Sequence, residues 1–316
     1  MENKLLVIDV SHGTTHDGPG MRTTVFTKGC SLRCQWCQNP ESISIKNQTW
    51  WSKNDCIGCL SCVNICPNSA LEMLEEGIFI NRDKCQACGN CVEECPSTAM
   101  AWQGMEYDFG TLLEEVLRDK LYYRQFQGGV TCSGGEPLLQ SKFIAGFFCR
   151  LKEEGISTAI DTCGFVPKKN IEEVLPYTDY ILYDLKIFDS VKHKQYTGAS
   201  NEIIFSNLLY IADFIRESNR KMEVWIRTPL IPNVTADMDN IQQIGEFIRD
   251  NLSDVVMRWE LCAFNGLCAS KYEKMQEKWM FEGQGAMIKS EVESLKEQAK
   301  AYLGEKVILS GMIREI

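Results

Sequence analysis

The spacing of apolar and polar positions divides the chain before any motif is considered. Beyond about residue 103, short β-branched and aromatic runs alternate with longer stretches in which apolar residues return every three or four positions. The first pattern suits a buried strand and the second an amphipathic helix. Helices are accordingly predicted over residues 109–126, 138–154, 170–175, 203–218 and 241–251, and strands over 129–133, 157–161, 180–185, 222–227 and 256–262. An earlier run over 22–28, Arg-Thr-Thr-Val-Phe-Thr-Lys, reads as one more buried strand. Six strands separated by helices predict an α/β fold with a parallel sheet and right-handed crossovers. A polar-faced helix over 289–303 and a short strand over 306–310 would complete it.

Between residues 51 and 102 this periodicity stops and cysteines set the pattern. Cys56, Cys59, Cys62 and Cys66 follow C-x2-C-x2-C-x3-C and precede Pro67; Cys85, Cys88, Cys91 and Cys95 repeat the spacing 29 residues on and precede Pro96. The run resembles that of bacterial two-cluster ferredoxins, where the fourth cysteine of each copy ligates the other cluster. The sets implied are Cys56, Cys59, Cys62 and Cys95 for one [4Fe–4S] cluster, and Cys66, Cys85, Cys88 and Cys91 for another. A segment of about 50 residues buries little core, so the clusters would stabilise it. The chain is therefore expected to divide into a main unit, residues 1–50 and 103–316, and an insert, residues 51–102.

A third group, Cys30, Cys34 and Cys37, lies just after the first predicted strand in C-x3-C-x2-C spacing. A four-iron cluster normally takes four thiolates, so three leave one iron open. An open metal position is the mark of a catalytic site rather than a structural one. Composition agrees with a reducing compartment. Sixteen cysteines with no export signal, mostly in C-x2-C steps, read as metal ligands rather than disulfides. A net charge of -10 argues against a nucleic-acid partner, and no apolar run reaches a membrane span. Hydrophobic content of 44% allows a sizeable core. A cytoplasmic protein of an anaerobe is expected, since exposed clusters oxidise readily.

In parallel α/β folds, functional groups gather at the carboxyl ends of strands. The cysteine loop follows the first strand, Gly134, Gly135, Glu136 and Pro137 the second, Asp161 and Thr162 the third, Asp184, Leu185 and Lys186 the fourth, Arg227 the fifth, and Asn265 the sixth. All the polar clusters thus fall on one rim.

Together with the run Gly13–Arg22 (Gly-Thr-Thr-His-Asp-Gly-Pro-Gly-Met-Arg), these residues resemble the glycyl-radical-enzyme activating enzymes of the radical S-adenosylmethionine (SAM) superfamily, over nearly the whole chain. The resemblance, closest to the family's larger, insert-bearing members, implies a partial (β/α)6 TIM-like barrel. It also implies three [4Fe–4S] clusters, one of which binds SAM at its open iron. Reductive cleavage of SAM would yield a 5′-deoxyadenosyl radical that takes hydrogen from a glycine of a partner glycyl radical enzyme. Carried over position by position, Cys30, Cys34 and Cys37 hold the SAM-binding cluster. Trp36, Gln38, Gly134, Gly135, Glu136, Asp184, Leu185, Lys186, Arg227 and Asn265 contact the cofactor. Asp161, Thr162 and Asp184 form a monovalent-cation site, and Asp17 meets the partner's peptide. Trp36 also reads as a core aromatic, Lys186 as a solvated lysine, Arg227 as half of a structural ion pair, and Asp17 as turn chemistry.

Two departures from the family stand out. Asn265 replaces a histidine and cannot titrate, and Asn233 replaces a glycine while tolerating a left-handed backbone. Cys132, Cys149, Cys163, Cys262 and Cys268 read as buried small hydrophobes, with Cys132 nearest the site; His12, His16 and His193 read as surface or turn residues. A flavodoxin or ferredoxin is the implied electron donor, with the insert clusters acting as relay or as scaffold. A monomer is expected in isolation. Rival readings are a radical SAM enzyme acting on a small molecule or ribosomal peptide, and a non-enzymatic electron carrier.

Overall fold

The computed structural model describes residues 4–218 and 220–315. Its main element is an open nine-stranded sheet. Seven strands run parallel in chain order: Arg22–Thr27, Gly129–Gly134, Ser157–Thr162, Tyr180–Asp184, Glu223–Leu230, Val256–Ala263 and Val307–Ser310. The six predicted strands and the final short one are among them. Two further strands, Lys4–Thr14 and Met105–Asp108, extend the other edge antiparallel. Sequence spacing misses both, because the first is interrupted by polar residues and the second is a short, largely exposed edge.

Helices cover one face. Phe143, Phe147 and Leu151 of helix Ser141–Glu153 join Ile160, Ile181, Val224 and Trp259 of the strands in one buried core. Because successive strand residues point to opposite faces, Ser133, Asp161, Asp184, Arg227 and Glu260 lie on the other, concave face, where strand register aligns Asp184, Arg227 and Glu260 in a row. The predicted helix over 109–126 is in fact two, Phe109–Leu117 and Lys120–Phe126. Asp119 lies at the break, its carboxylate accepting from Thr23 Oγ1 (2.5 Å) and His12 Nδ1 (2.6 Å). The helix predicted over 138–154 opens with a 3-10 turn, Pro137–Gln140, before the α-helix. Asn233 adopts φ 61°, so the turn keeps the left-handed residue that glycine would supply.

The insert is closed at its base by antiparallel strands Thr49–Trp51 and Met100–Trp102, the first of which begins just before the expected boundary at residue 51. A hairpin, Leu71–Leu74 with Gly77–Ile80, and two short helices, Ser61–Ile65 and Asn90–Glu93, complete it. Its own core consists of Cys62, Leu71, Ile78, Ile80, Cys91 and Met100. The Gln276 side chain ties it to the main unit, accepting from Ile80 N (3.0 Å) and donating to Ile78 O (2.6 Å).

Candidate active site

The first parallel strand ends in a loop held on two sides. Gly29 N donates to Ser42 O (2.6 Å) and Cys30 N to Ile43 O (3.1 Å), while Arg33 N and Gln35 N donate to Thr197 O (2.7 Å) and Tyr196 O (3.1 Å). Cys30, Cys34 and Cys37 emerge from this loop half-buried by whole-residue exposure. Burial of the Cys34 thiol pushes its pKa up to about 12, and burial also drives Cys37 upward. Contact with Cys163 holds Cys30 below its ordinary value. Cys37 feels Cys30 and Cys34, Cys34 feels Cys30, and all three feel the ammonium of Lys186, so the thiols share one locus. Three soft donors around a common space, with one cation and no fourth cysteine from their own loop, suit a cluster with an open iron. Among the described residues no three His, Cys, Asp or Glu side chains converge as a single ion would need; a four-iron cluster is larger and spaces its ligands further apart.

Gly134 and Gly135 bring the second strand against this loop. Gly134 has φ 105°, and a Cβ there would strike Thr27 backbone atoms, while one on Gly135 would strike the Gly29 carbonyl oxygen. Gly135 N and Glu136 N donate to Thr27 O (2.9 Å) and Gly29 O (2.7 Å). Glu136 itself is fully buried, its carboxylate accepting from Thr162 Oγ1 (2.7 Å), Cys163 N (2.9 Å) and Leu138 N (3.1 Å) and lying 2.9 Å from Cys163 Sγ. It braces the ends of the second and third strands rather than facing open space. Burial raises its pKa.

Lys186 is half-buried and ion-paired with Asp184, unlike a solvated lysine. Burial disfavours its charge, but Asp184 and the Cys34 and Cys163 thiols outweigh this and raise its pKa. Arg227 pairs with Asp161 (3.2 Å) and Glu260 (3.4 Å) and reaches His16 O (3.5 Å). Asp161 also accepts from Ser133 Oγ (2.8 Å). Burial raises its pKa to about 6, with Arg227 opposing and Asp184 and Asp17 adding to the rise. Asp17 accepts from Thr24 Oγ1 (2.8 Å), and its carbonyl accepts from Thr131 Oγ1 (2.6 Å). The 13–22 loop therefore folds onto the concave face beneath the Asp161–Arg227 pair.

Some candidates point elsewhere. The Thr162 hydroxyl turns to Glu136, on the opposite face of its strand from Asp161, so it does not join the Asp161 and Asp184 carboxylates; strand parity alone carries that signal. Leu185 is buried, and its N–H and carbonyl are both engaged by the adjacent strand, at Arg227 O (2.9 Å) and Thr228 Oγ1 (2.9 Å). Trp36 packs in the main core at 5% exposure. Gln38 Nε2 donates to Asn265 O (3.2 Å), linking the cysteine loop to the sixth strand's loop. Cys149 and Cys262 are half-buried rather than buried, and Cys163, not Cys132, is the extra thiol beside the loop. His193 is fully buried and bonded to Ala199 O (2.6 Å), not a surface residue. Spacing also gives no sign of Tyr272, whose hydroxyl donates to Cys37 O (3.0 Å), or of Lys271, which bonds Asn39 and Glu41 (both 2.7 Å).

In the insert, one hollow is lined by Cys56, Cys59, Cys62 and Cys95, and another by Cys66, Cys85, Cys88 and Cys91. No helix is long and apolar enough to cross a membrane among the described residues.

A family model described as the radical SAM superfamily matches residues 24–244. The (2S)-3-sulfopropanediol dehydratase activating enzyme of Klebsiella oxytoca is 40% identical over 272 residues, 84% of this chain and 84% of that protein. The trans-4-hydroxy-L-proline dehydratase activating enzyme of Clostridioides difficile is 40% identical over 301 residues, 94% and 95% of the two. Among solved structures, a radical SAM methyltransferase from Sphaerobacter thermophilus matches with a TM-score of 0.52 at 12% identity, covering 94% of this chain and 71% of that one. At that identity the likeness concerns the fold alone.

Proposed function

The chain belongs to the radical SAM superfamily, and within it we propose that it activates a partner glycyl radical enzyme. The observation that carries this is the pair of 40% identical relatives, both named as activating enzymes and each covered over more than four-fifths of its length. A cluster held by Cys30, Cys34 and Cys37 would supply the electron that splits SAM into methionine and a 5′-deoxyadenosyl radical, which takes a hydrogen atom from the partner's glycine.

The chain's own residues position and shield. Lys186 offers a half-buried positive charge beside the three thiols, suited to the carboxylate of the cofactor. Gly134 and Gly135 keep the rim low next to the loop. Asp161 and Asp184 are the carboxylates available for a monovalent cation, without the Thr162 hydroxyl. Gln38 and Asn265 line the same end of the sheet, and the Asp17 loop flanks the concave face by which a peptide would enter. The two insert hollows are proposed to hold the second and third [4Fe–4S] clusters, in an insert of the ferredoxin type. Electrons would come from a flavodoxin or ferredoxin. Since both relatives are named for dehydratases, a dehydratase stands first among partners to test.

Anaerobically reconstituted protein, reduced and given SAM, should release methionine and 5′-deoxyadenosine. Mixed with its partner, it should generate a doublet glycyl-radical signal. Cys34→Ala should abolish both while leaving the insert's iron in place. Absence of SAM cleavage by fully loaded protein sinks the reading. SAM cleavage without radical on any dehydratase, decarboxylase or lyase candidate favours the small-molecule rival.

A further inference from the structure

The two halves of the insert repeat each other, yet the position three residues before the first cysteine differs between them. Before Cys56 it is Lys53, an exposed side chain; before Cys85 it is Arg82, which is half-buried. Arg82 Nη1 donates to Thr49 O (2.6 Å), and Thr49 lines the hollow formed by Cys66, Cys85, Cys88 and Cys91. Its other terminal nitrogen, Nη2, is buried without a hydrogen-bond partner, a donor whose burial goes uncompensated by the protein. The guanidinium lies within charge range of Cys85, Glu277 and Cys91, and of Lys28, the buried residue two positions before Cys30.

We propose that Arg82 is a positioning residue that raises the reduction potential of the cluster in this hollow above that of its repeat twin. This rests on the reading of the insert as a two-cluster unit. Reduction adds one negative charge to a cluster. A cation fixed beside the hollow by its bond to Thr49 favours that charge, and Lys53, in water, supplies none. One electron shared between the two clusters then rests on the Arg82 side, given up by the Cys56, Cys59, Cys62 and Cys95 cluster. That is the side whose cation neighbours Lys28 and the catalytic loop.

The test uses the full chain carrying Cys34→Ala, so that only insert clusters remain, reconstituted and titrated potentiometrically with EPR detection. Two midpoint potentials should appear. Arg82→Gln should move the higher one negative and leave the lower unmoved; Arg82→Lys, which keeps the charge, should recover most of the shift; Lys53→Gln should move neither. Coincident potentials in the parent overturn the proposal without need of any Arg82 variant, which keeps it testable if Arg82→Gln loses iron. So do two potentials that Arg82→Gln leaves unchanged at full iron content. Parent protein with less iron than two four-iron clusters defeats the reading of the insert, and the role of Arg82 with it.

Discussion

Glu136 has no solvent exposure, and its side chain is held there by donors from Thr162, Cys163 and Leu138. Glu136→Ala leaves those donors buried and unpaired, which should cost about 1–3 kcal/mol. A denaturant midpoint unchanged from the parent would contradict the brace. His12 offers a different residue-scale test. Hydrogen bonding to Asp119 (2.6 Å), assisted by Glu115 (3.2 Å), raises its pKa. A raised histidine contributes stability that is complete below its unfolded value of 6.5 and is lost as pH climbs through the folded value. The melting temperature of the parent should therefore exceed that of His12→Gln at acidic pH, and the gap should close on the alkaline side. A gap that widens with pH refutes the pairing. Such partners were invisible in the sequence, since His12 and Asp119 lie 107 residues apart and meet only through the fold.

Between elements, the second strand's end approaches the cysteine loop closely. Gly135→Ala puts a methyl group onto the Gly29 carbonyl oxygen, one residue before Cys30. Overpacking of this kind costs about 1–3 kcal/mol, and iron held by Cys30, Cys34 and Cys37 should fall. Gly146→Ala is the control: it lies inside helix Ser141–Glu153 with its nearest new neighbour 3.8 Å away, and should be neutral or stabilising. Equal effects from the two would show that glycine content, not the contact, matters. The Gly-Gly step was legible as a motif, but its tightness was not, because the carbonyl it meets belongs to the cysteine loop about 100 residues earlier in the chain. The parallel strands were readable because their β-branched runs are buried on a sheet with helices on one face. The break between Leu117 and Lys120 was not, because Asp119 is held there by Thr23 and His12. The direction of Thr162 was available from strand parity with Asp161 and Asp184.

At the scale of the molecule, the sheet separates two environments. One face is apolar and covered by helices. The other carries Asp17, Asp161, Asp184, Arg227 and Glu260 on a concave surface beside the three thiols. The ordering of polar clusters along one rim was readable, since it needs only the strand sequence. The antiparallel edge, Lys4–Thr14 with Met105–Asp108, was not, because its pairing partners flank the insert and share no local pattern.

The insert begins and ends on one antiparallel pair, Thr49 opposite Trp102. That geometry bears on how the chain folds. Pairing Arg22–Thr27 with Gly129–Gly134 must close a loop of roughly 100 residues, and each halving of a loop recovers only about 0.6 kcal/mol. Once Thr49–Trp51 and Met100–Trp102 have zipped together, the insert spans no distance along the backbone, and the remaining loop is about half as long. The main sheet is thus almost indifferent, in closure entropy, to what hangs from that base pair of strands. Lengthening, trimming or deleting the insert should leave the assembly of the main sheet nearly untouched, so that evolution could vary the appended module without renegotiating the scaffold.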